Sequence, residues 1–196
     1  MDDQELVKRV LQGDELAIEQ LHKRYAQPLF HYIHMQTNSF HDSEEILQDV
    51  FYKAATQLHQ FKQRSSFKTW IYTITRNRLI DYYRSNKAQK NQVELSPLSA
   101  DLHATPLSPY KLDDLQEALE QLPTNYQTVL HLRFIEGFSL LETAKIMGKS
   151  LYAVKNLQKR AQKQLKSDAH VEGFTYAKKR ITVCINLCLI RRIAKA

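Results

Sequence analysis

The sequence predicts an all-α protein made of two small helical domains joined by a flexible linker, with a helix-turn-helix in the second domain. Apolar residues recur at helical spacing along most of the chain. This pattern lapses over residues 87–110, where three of the five prolines fall, and the lapse is too long for a connection inside one domain. We therefore expect a first domain at 1–86, a linker at 87–110, a second domain at 111–168 and a basic, apolar tail at 169–196.

The first domain is expected to begin with three helices. A short apolar stripe ends at Gly13, and a second helix follows in which Pro28 introduces a kink or a restart. Asp42, with Glu45 three positions later, has the spacing of a capping box and predicts that the third helix opens there. One face of this helix is apolar, and the opposite face carries Glu45, Gln48, Asp49 and Tyr52. This polar face is either a solvated surface or a binding surface.

A stretch of mixed basic and aromatic residues, 61–84, is the strongest functional signal. It holds six basic and six aromatic side chains with a single acid, Asp81. Basic groups neutralise phosphates and aromatic rings stack on unpaired bases, so the mixture suits single-stranded DNA. The alternative is an ordinary core helix in which Trp70, Ile71 and Ile74 are buried. Tyr72, Leu79 and Tyr83 fall on a second side, which needs a different partner.

Charge is strongly polarised within each predicted domain. Residues 1–49 hold 10 acids and 4 bases, whereas residues 50–86 hold 1 acid and 7 bases. The same division recurs later, with 6 acids and 2 bases over 111–142 and 1 acid and 7 bases over 143–168. A basic half in each domain favours a polyanionic partner, most simply nucleic acid.

The second domain contains the signals of a helix-turn-helix. Gly137 is expected to follow the end of one helix, and Ser139 with Glu142 forms a capping box that opens a short helix. Gly148 closes that helix, and Ser150 caps the next, which runs to about residue 166. The turn length and the basic second helix favour DNA recognition over a plain helical hairpin with a solvated basic face.

Several other classes of protein have little support in the sequence. No apolar run is long enough to span a bilayer, and the N-terminus is too acidic and polar for a signal peptide, so we expect a cytoplasmic protein. Cys184 and Cys188 have no neighbouring His or further Cys, so neither a metal site nor a disulfide is expected. The tail could add a packing helix, touch a membrane surface or be poorly ordered.

Three segments together resemble a known family. They are DSEEILQDVF, then SSFKTWIYTITRNRLIDYYR and, after the proline-rich linker, LPTNYQTVLHLRFIEGFSLLETAKIMGKSLYAVKNLQKRAQKQL. In this order they resemble the bacterial extracytoplasmic-function sigma factors of the sigma-70 family, over about residues 4–166. The resemblance implies an alternative sigma factor that binds core RNA polymerase and promoter DNA, reads the minus-ten and minus-thirty-five elements and helps to open the duplex. It also implies an anti-sigma factor as a partner, with a membrane-anchored one among the candidates, and neither a cofactor nor a small-molecule substrate.

The resemblance also assigns roles to individual positions. The stripe of the third helix falls where the family docks RNA polymerase, and it comprises Glu45, Gln48, Asp49 and Tyr52. Minus-ten DNA is expected to contact Lys62, Arg64, Ser65, Ser66, Lys68, Trp70, Arg76, Asn77, Tyr83 and Arg84. Minus-thirty-five DNA is expected to contact Ser150, Tyr152, Lys155, Asn156, Lys159, Arg160 and Lys163.

Two other functional classes explain the sequence less well. A free-standing helix-turn-helix regulator would explain the second domain alone and would bind duplex DNA tightly without polymerase. An enzyme acting on nucleic acid lacks support, because no paired carboxylates at metal spacing, phosphate loop or nucleophile-base set stands out. We therefore expect no catalytic residues, no metal ligands and no enzymatic activity.

Overall fold

The computed structural model describes residues 1–92, 119 and 121–168, and every regular element within them is helical. The tail and most of the expected linker lie outside the described residues, as does the predicted helix through Leu112 and Leu115. The first domain contains α1 (Asp3–Leu11), α2 (Glu15–Thr37), α3 (Phe40–Gln57), a 3-10 turn (Leu58–Gln60) and α4 (Phe67–Gln92). The second contains α5 (Thr124–Leu130), a π-helical turn (His131–Ile135), α6 (Leu140–Met147) and α7 (Leu151–Asp168). The predicted all-α class is confirmed.

The first two helices begin at aspartate caps. The Asp2 side chain accepts from the backbone N–H of Glu5, and that of Asp14 accepts from Leu16 and Ala17. Gly13, with φ +87°, makes the left-handed turn between them. α2 then runs through Pro28 as one helix, so the restart offered as an alternative does not occur.

The third helix begins earlier than the capping-box pattern predicted. Ser39 is its N-cap, and the Ser39 side chain accepts from the backbone N–H of Asp42. Asp42 therefore lies inside the first turn, and its carboxylate accepts a hydrogen bond of 2.6 Å from the Tyr82 hydroxyl of α4. The prediction of Asp42 as the cap was wrong because serine three positions upstream supplies the same hydrogen bond one turn earlier.

The core of the first domain lies where α1, α2, α3 and α4 meet. Fully buried aliphatic side chains come from each helix, with Leu6 from α1, Leu29 and Ile33 from α2, Val50 from α3 and Ile71 from α4. Burying a side chain of this kind contributes roughly 1.5–3 kcal/mol relative to exposure. The core fixes the rotation of α3 and α4 about their axes, and thereby decides which residues those helices present outwards.

The second domain has the predicted helix-turn-helix. Gly137 has φ +73° and follows the π-helical turn, and Gly148 has φ +59° as the C-cap of α6. Ser139 and Glu142 form both hydrogen bonds of the capping box. Ser150 then caps α7, since its hydroxyl accepts from the backbone N–H of Ala153 at 3.2 Å. Each of these four signals was predicted from the sequence and is confirmed.

Candidate nucleic-acid interface

The outward side of α7 presents one polar, mostly basic face. Val154, Ala161 and Leu165 are buried against the rest of the second domain. At 100° per residue, the opposite side of the helix gathers the residues that we call the outer face of α7; these are Tyr152, Lys155, Asn156, Lys159, Arg160 and Lys163. All are exposed except Asn156, which is half-buried, and Tyr152 is 75% exposed. Ser150, also exposed, stands at the start of the helix as its cap.

Arg133 fixes the position of α7 against the rest of the second domain. Its Nε donates to the Gln158 side chain at 3.1 Å, and its Nη1 donates to the carbonyl of Phe138. One arginine thereby joins α7 to the segment before α6. Arg133 was not among the predicted site residues, because nothing in its local spacing connects it with a residue 25 positions away.

The loop at 62–66 carries the first group of predicted minus-ten residues. Lys62, Arg64 and Ser66 are exposed and Ser65 is half-buried. Ser66 also has a structural role, because its hydroxyl accepts from the backbone N–H of Thr69 at 3.1 Å at the beginning of α4. The two basic side chains of the loop are therefore placed beside the N-terminus of α4, where an anion is favoured.

Trp70 is packed against protein rather than presented to solvent. Its ring lies 5.1 Å from that of Phe61 and 5.6 Å from that of Phe67, and the residue is half-buried. Ile71 and Ile74 beside it are buried. On this side of α4 the ordinary core interpretation describes the packing, and only part of the Trp70 ring is available to a base.

Another side of α4 faces the second domain. We call Lys68, Thr69, Tyr72 and Arg76 the covered stripe of α4, because each contacts the second domain. Lys68 Nζ donates to the carbonyl oxygen of Glu136 at 2.7 Å and lies 2.9 Å from its carboxylate. Thr69 donates to the carboxylate of Glu142 at 3.0 Å.

The rest of the covered stripe meets an aromatic ring and the turn of the helix-turn-helix. The Tyr72 and Phe138 rings are 5.0 Å apart, and Lys68 Nζ lies 4.9 Å from the centre of the Phe138 ring. The Arg76 guanidinium lies against Gly148. The different partner that the sequence analysis required for Tyr72 is therefore the second domain of the same chain.

A buried polar cluster lies at the centre of this contact. His131 is 2% exposed, its ring is 5.5 Å from that of Tyr32, and its Nε2 lies 3.4 Å from the Glu136 carboxylate. Burial alone would raise the pKa of Glu136, but the His131 ring and the Lys68 ammonium outweigh burial and hold that pKa at about 2. Burial also raises the pKa of the Tyr72 hydroxyl. Glu136 is thus an ionised carboxylate held between the two domains.

The remaining predicted minus-ten residues are on the exposed part of α4. Asn77, Tyr83 and Arg84 are exposed. The Tyr83 hydroxyl donates to the carbonyl of Gln36 at 2.6 Å, which holds the ring beside the end of α2 while leaving it 42% exposed. The predicted set is thus divided into residues that are exposed or half-exposed, Trp70, which packs against Phe61 and Phe67, and two residues, Lys68 and Arg76, that contact the second domain.

The polar stripe of α3 is exposed, except for Asp49, which is half-buried and ion-paired. Glu45 and Gln48 are exposed, and Tyr52 is 72% exposed, which is unusual for so large a ring. Asp49 instead forms an ion pair with Arg78 of α4. Arg78 was not among the predicted site residues, because a contact between two helices cannot be seen in the spacing within one of them.

The described part of the chain has neither a membrane-spanning helix nor a cluster of metal ligands. None of its helices is long and apolar enough to cross a membrane. Nor do its His, Cys, Asp and Glu side chains form a group of three or more that could hold a metal ion.

Comparison with known proteins decides the family. The family model of Sigma-70 region 2 matches residues 21–89, and that of Sigma-70, region 4 matches residues 112–165. The RNA polymerase sigma factor YlaC of Bacillus subtilis is 32% identical over 158 residues, which cover 78% of this chain and 91% of YlaC. The chain belongs to the sigma-70 family. It is an alternative sigma factor, a subunit that binds core RNA polymerase and promoter DNA and directs the initiation of transcription.

Two further relatives identify the group within the family. The sigma factor shares 29% identity with the ECF sigma factor SigX of Bacillus subtilis, over 81% of this chain and 85% of SigX. It shares 31% identity with the ECF sigma factor BldN of Streptomyces coelicolor, over 82% of this chain, and spans 63% of the length of BldN. The resemblance to extracytoplasmic-function sigma factors is confirmed.

Solved structures share the fold of the sigma factor. CnrH, in complex with the cytosolic domain of CnrY, matches 84% of this chain and 95% of its own with a TM-score of 0.61 and 24% identity. RpoE of Bartonella quintana, in complex with the anti-sigma factor NepR, matches 79% and 97% with a TM-score of 0.62 and 22% identity.

Proposed function

We propose that this sigma factor distributes its tasks over three surfaces, on α3, on α4 with its preceding loop, and on α7. The outer face of α7 reads minus-thirty-five duplex DNA. The loop at 62–66 and α4 capture the minus-ten strand. The polar stripe of α3 docks the polymerase. The domain bounds that go with these tasks are 1–86 and 111–168, with the linker at 87–110, into which α4 continues as far as Gln92.

The observation that carries the duplex-reading role is the arrangement of α7. Its buried side is apolar and fixed by packing, so four of its basic side chains lie on one accessible face. A helix of this kind at the second position of a helix-turn-helix enters the major groove with its first turns near the bases. Tyr152 stands in those first turns with a largely exposed ring, which suits contact with a base or a thymine methyl group.

The strand-capturing role of α4 is supported by its mixture of charge and exposed ring surface. Lys62, Arg64 and Arg84 provide exposed positive charge, and Tyr83 presents a partly exposed ring to a base. Asn77 adds an exposed amide that can donate and accept hydrogen bonds at a base edge.

The docking role of α3 is supported by Tyr52. An exposed tyrosine among Glu45, Gln48 and Asp49 is typical of protein interfaces, where aromatic side chains contribute most of the binding energy. We also propose that the sigma factor acts in the cytoplasm, has no enzymatic activity of its own and is bound by an anti-sigma factor, as RpoE of Bartonella quintana is by NepR.

Salt-dependent binding to a minus-thirty-five duplex by the polymerase holoenzyme tests the α7 assignment. Lys155→Ala and Arg160→Ala should each weaken binding and reduce the slope of log affinity against log salt by about one, because each phosphate contact releases about one counterion. Lys23→Ala, at an exposed position of α2, is the matched control and should leave the slope unchanged. An unchanged slope in both α7 variants would remove these residues from the interface, and equally tight duplex binding without polymerase would favour a free-standing regulator.

A further inference from the structure

The outer face of α7 changes in chemistry along the helix. Four of its residues lie on a single line, because they recur at spacings of four, three and four residues; these are Tyr152, Asn156, Lys159 and Lys163. This line lies about 180° around the helix from Val154 and Ala161, which are both 0% exposed. It is therefore the part of α7 that enters a groove most deeply, and its first two members are uncharged.

The two uncharged side chains have their contact groups available to a ligand. Tyr152 has the largest exposed fraction among the large hydrophobic side chains of the described residues. Asn156 is half-buried, and within the described part of the chain its amide forms no hydrogen bond. Neither side chain is used to hold the helix-turn-helix together.

We propose that Tyr152 and Asn156 are the residues that select the sequence of the minus-thirty-five element, and that they select A·T base pairs. Tyr152 contacts the 5-methyl group of a thymine, and Asn156 forms a bidentate pair with N6 and N7 of an adenine. The proposal rests on the proposed function of α7 and names the side chains that distinguish one duplex from another. Lys155 and Arg160, on either side of the line, contact phosphates and contribute affinity without selecting bases.

The major-groove edges of the base pairs give the reason for this preference. Adenine presents an acceptor, N7, beside a donor, the N6 amino group, and a side-chain amide can pair with both at once. Thymine alone presents a methyl group, which an apolar ring contacts favourably. A line that began with lysine or arginine would prefer guanine, which presents two acceptors. The uncharged start of this line therefore favours adenine and thymine.

The spacing of the two side chains limits where the selected bases lie. Residues four apart in a helix are separated by about 6 Å along its axis. Successive base pairs are separated by about 3.4 Å along the duplex. The thymine that meets Tyr152 and the adenine that meets Asn156 are therefore expected no more than two base-pair steps apart, as a short A·T cluster at one end of the element.

Selection from a random pool of duplexes tests the proposal with the polymerase holoenzyme. Each duplex carries a random block of about ten base pairs, one helical turn, upstream of a fixed pre-melted segment. Wild-type holoenzyme should enrich a thymine and an adenine at the predicted spacing. Tyr152→Ser should lose the preference at the thymine alone, and Asn156→Ala at the adenine alone. Ile18→Ser, at an exposed position of α2, is the control and should select as wild type does.

Modified bases in the selected duplex identify the atoms that are contacted. Deoxyuridine in place of the thymine removes one methyl group and should weaken wild-type binding about fourfold. Tyr152→Phe keeps the ring and should show the same loss, whereas Tyr152→Ser should bind both duplexes equally. 7-Deazaadenine removes N7 and should weaken wild-type binding about fivefold, with no effect on Asn156→Ala.

The wild-type protein alone can overturn the proposal, so the test does not depend on the folding of a variant. Wild-type binding that is unaffected by deoxyuridine at every selected thymine would remove Tyr152 from base contact, and the same result with 7-deazaadenine would remove Asn156. Base preferences that are unchanged in both variants would also overturn it. Failure of the proposed function itself would appear separately, as a salt dependence that Lys155→Ala and Arg160→Ala leave unchanged.

Discussion

Arg76 of α4 lies against the backbone of Gly148 in the turn of the helix-turn-helix. A Cβ atom at position 148 would stand 3.0 Å from Nη1 and 3.1 Å from Nη2 of that guanidinium. Gly148 also has φ +59°, which side chains other than glycine rarely adopt. The same glycine thus ends α6 and leaves room for a side chain of the other domain.

Gly148→Ala is expected to lower the free energy of unfolding by roughly 1–2 kcal/mol, the cost of a left-handed conformation for alanine. Gly137→Ala is the matched control, because Gly137 has φ +73° and no atom within 4 Å of its virtual Cβ. The two losses should agree, since the guanidinium is the end of a flexible side chain and can withdraw. Urea unfolding followed by circular dichroism measures both. A much larger loss for Gly148→Ala would mean that Arg76 is held rigidly in the domain contact.

The Asp49–Arg78 ion pair allows the effect of Asp49 on stability to be measured separately from its effect on polymerase docking. Asp49→Lys should cost up to about 1 kcal/mol, because it replaces a partly exposed ion pair with a repulsion. Asp49→Lys with Arg78→Glu should recover that stability while leaving the charge of the α3 stripe reversed. If α3 docks the polymerase, the double variant should still bind core enzyme more weakly than wild type.

Thermal melts and titrations of labelled core polymerase measure the two effects of the charge swap. Gln48→Ala, which removes an exposed side chain without an ion pair, should leave melting unchanged and weaken binding alone. If Gln48→Ala and the charge-swapped protein both bind core polymerase with wild-type affinity, this face is not part of the polymerase interface.

Trp70 and Tyr83 are expected to differ sharply when each is replaced by alanine. Trp70→Ala removes a ring packed between Phe61 and Phe67 and should cost about 2 kcal/mol or more. Tyr83→Ala removes a ring that is 42% exposed and one hydrogen bond, and should cost about 1 kcal/mol.

Promoter opening then distinguishes packing from contact with the strand. Tyr83→Ala holoenzyme should open duplex promoters more poorly than pre-melted ones, although its fold is nearly as stable as that of wild type. Tyr83→Phe keeps the ring and should open both templates normally. Equal loss on both templates in Tyr83→Ala would count against a role in melting.

The low pKa of Glu136 predicts a specific acid sensitivity. Its pKa in the folded protein, about 2, lies below the ordinary value of 4.5, so the ionised carboxylate stabilises the fold above pH 4.5. This contribution is lost as the pH falls from about 4.5 towards 2. The free energy of unfolding of Glu136→Gln should therefore depend less steeply on pH in that window than that of wild type. Parallel curves for the two proteins would show that Glu136 is not held ionised.

Local signals could be predicted from the sequence and contacts between distant residues could not. The box formed by Ser139 and Glu142 and the cap at Ser150 depend on groups three residues apart, so their spacing is visible in the chain. The partnership of Lys68 with Glu136 joins residues 68 positions apart and depends on how the domains pack. The cap of α3 shows the limit of local patterns, because Ser39 and Asp42 both suit a cap and only the structure decides between them.

In the basic and aromatic stretch, likewise, the helix faces could be predicted from the sequence and their contact partners could not. Its helical spacing predicted two sides with different partners, and Tyr72 on the second side does contact the second domain, whereas Tyr83 hydrogen-bonds to Gln36 of α2. It could not show that the partner of Tyr72 is Phe138, because alternation of residue types along a helix contains no information about which remote ring will lie there. The assignment of Trp70 to DNA likewise left out Phe61 and Phe67, whose rings occupy much of its surface.

The π-helical turn at His131–Ile135 determines which residues can reach the first domain. The backbone N–H of Glu136 donates to the carbonyl of His131, five residues earlier. In an α-helix, residues five apart point about 140° away from each other, whereas a five-residue hydrogen-bonded turn brings them to nearly the same side. If the same residues formed a regular α-helix instead, Glu136 would be rotated away from His131. The wider turn thus lets His131 reach Tyr32 and Glu136 reach Lys68 from one side of the same segment.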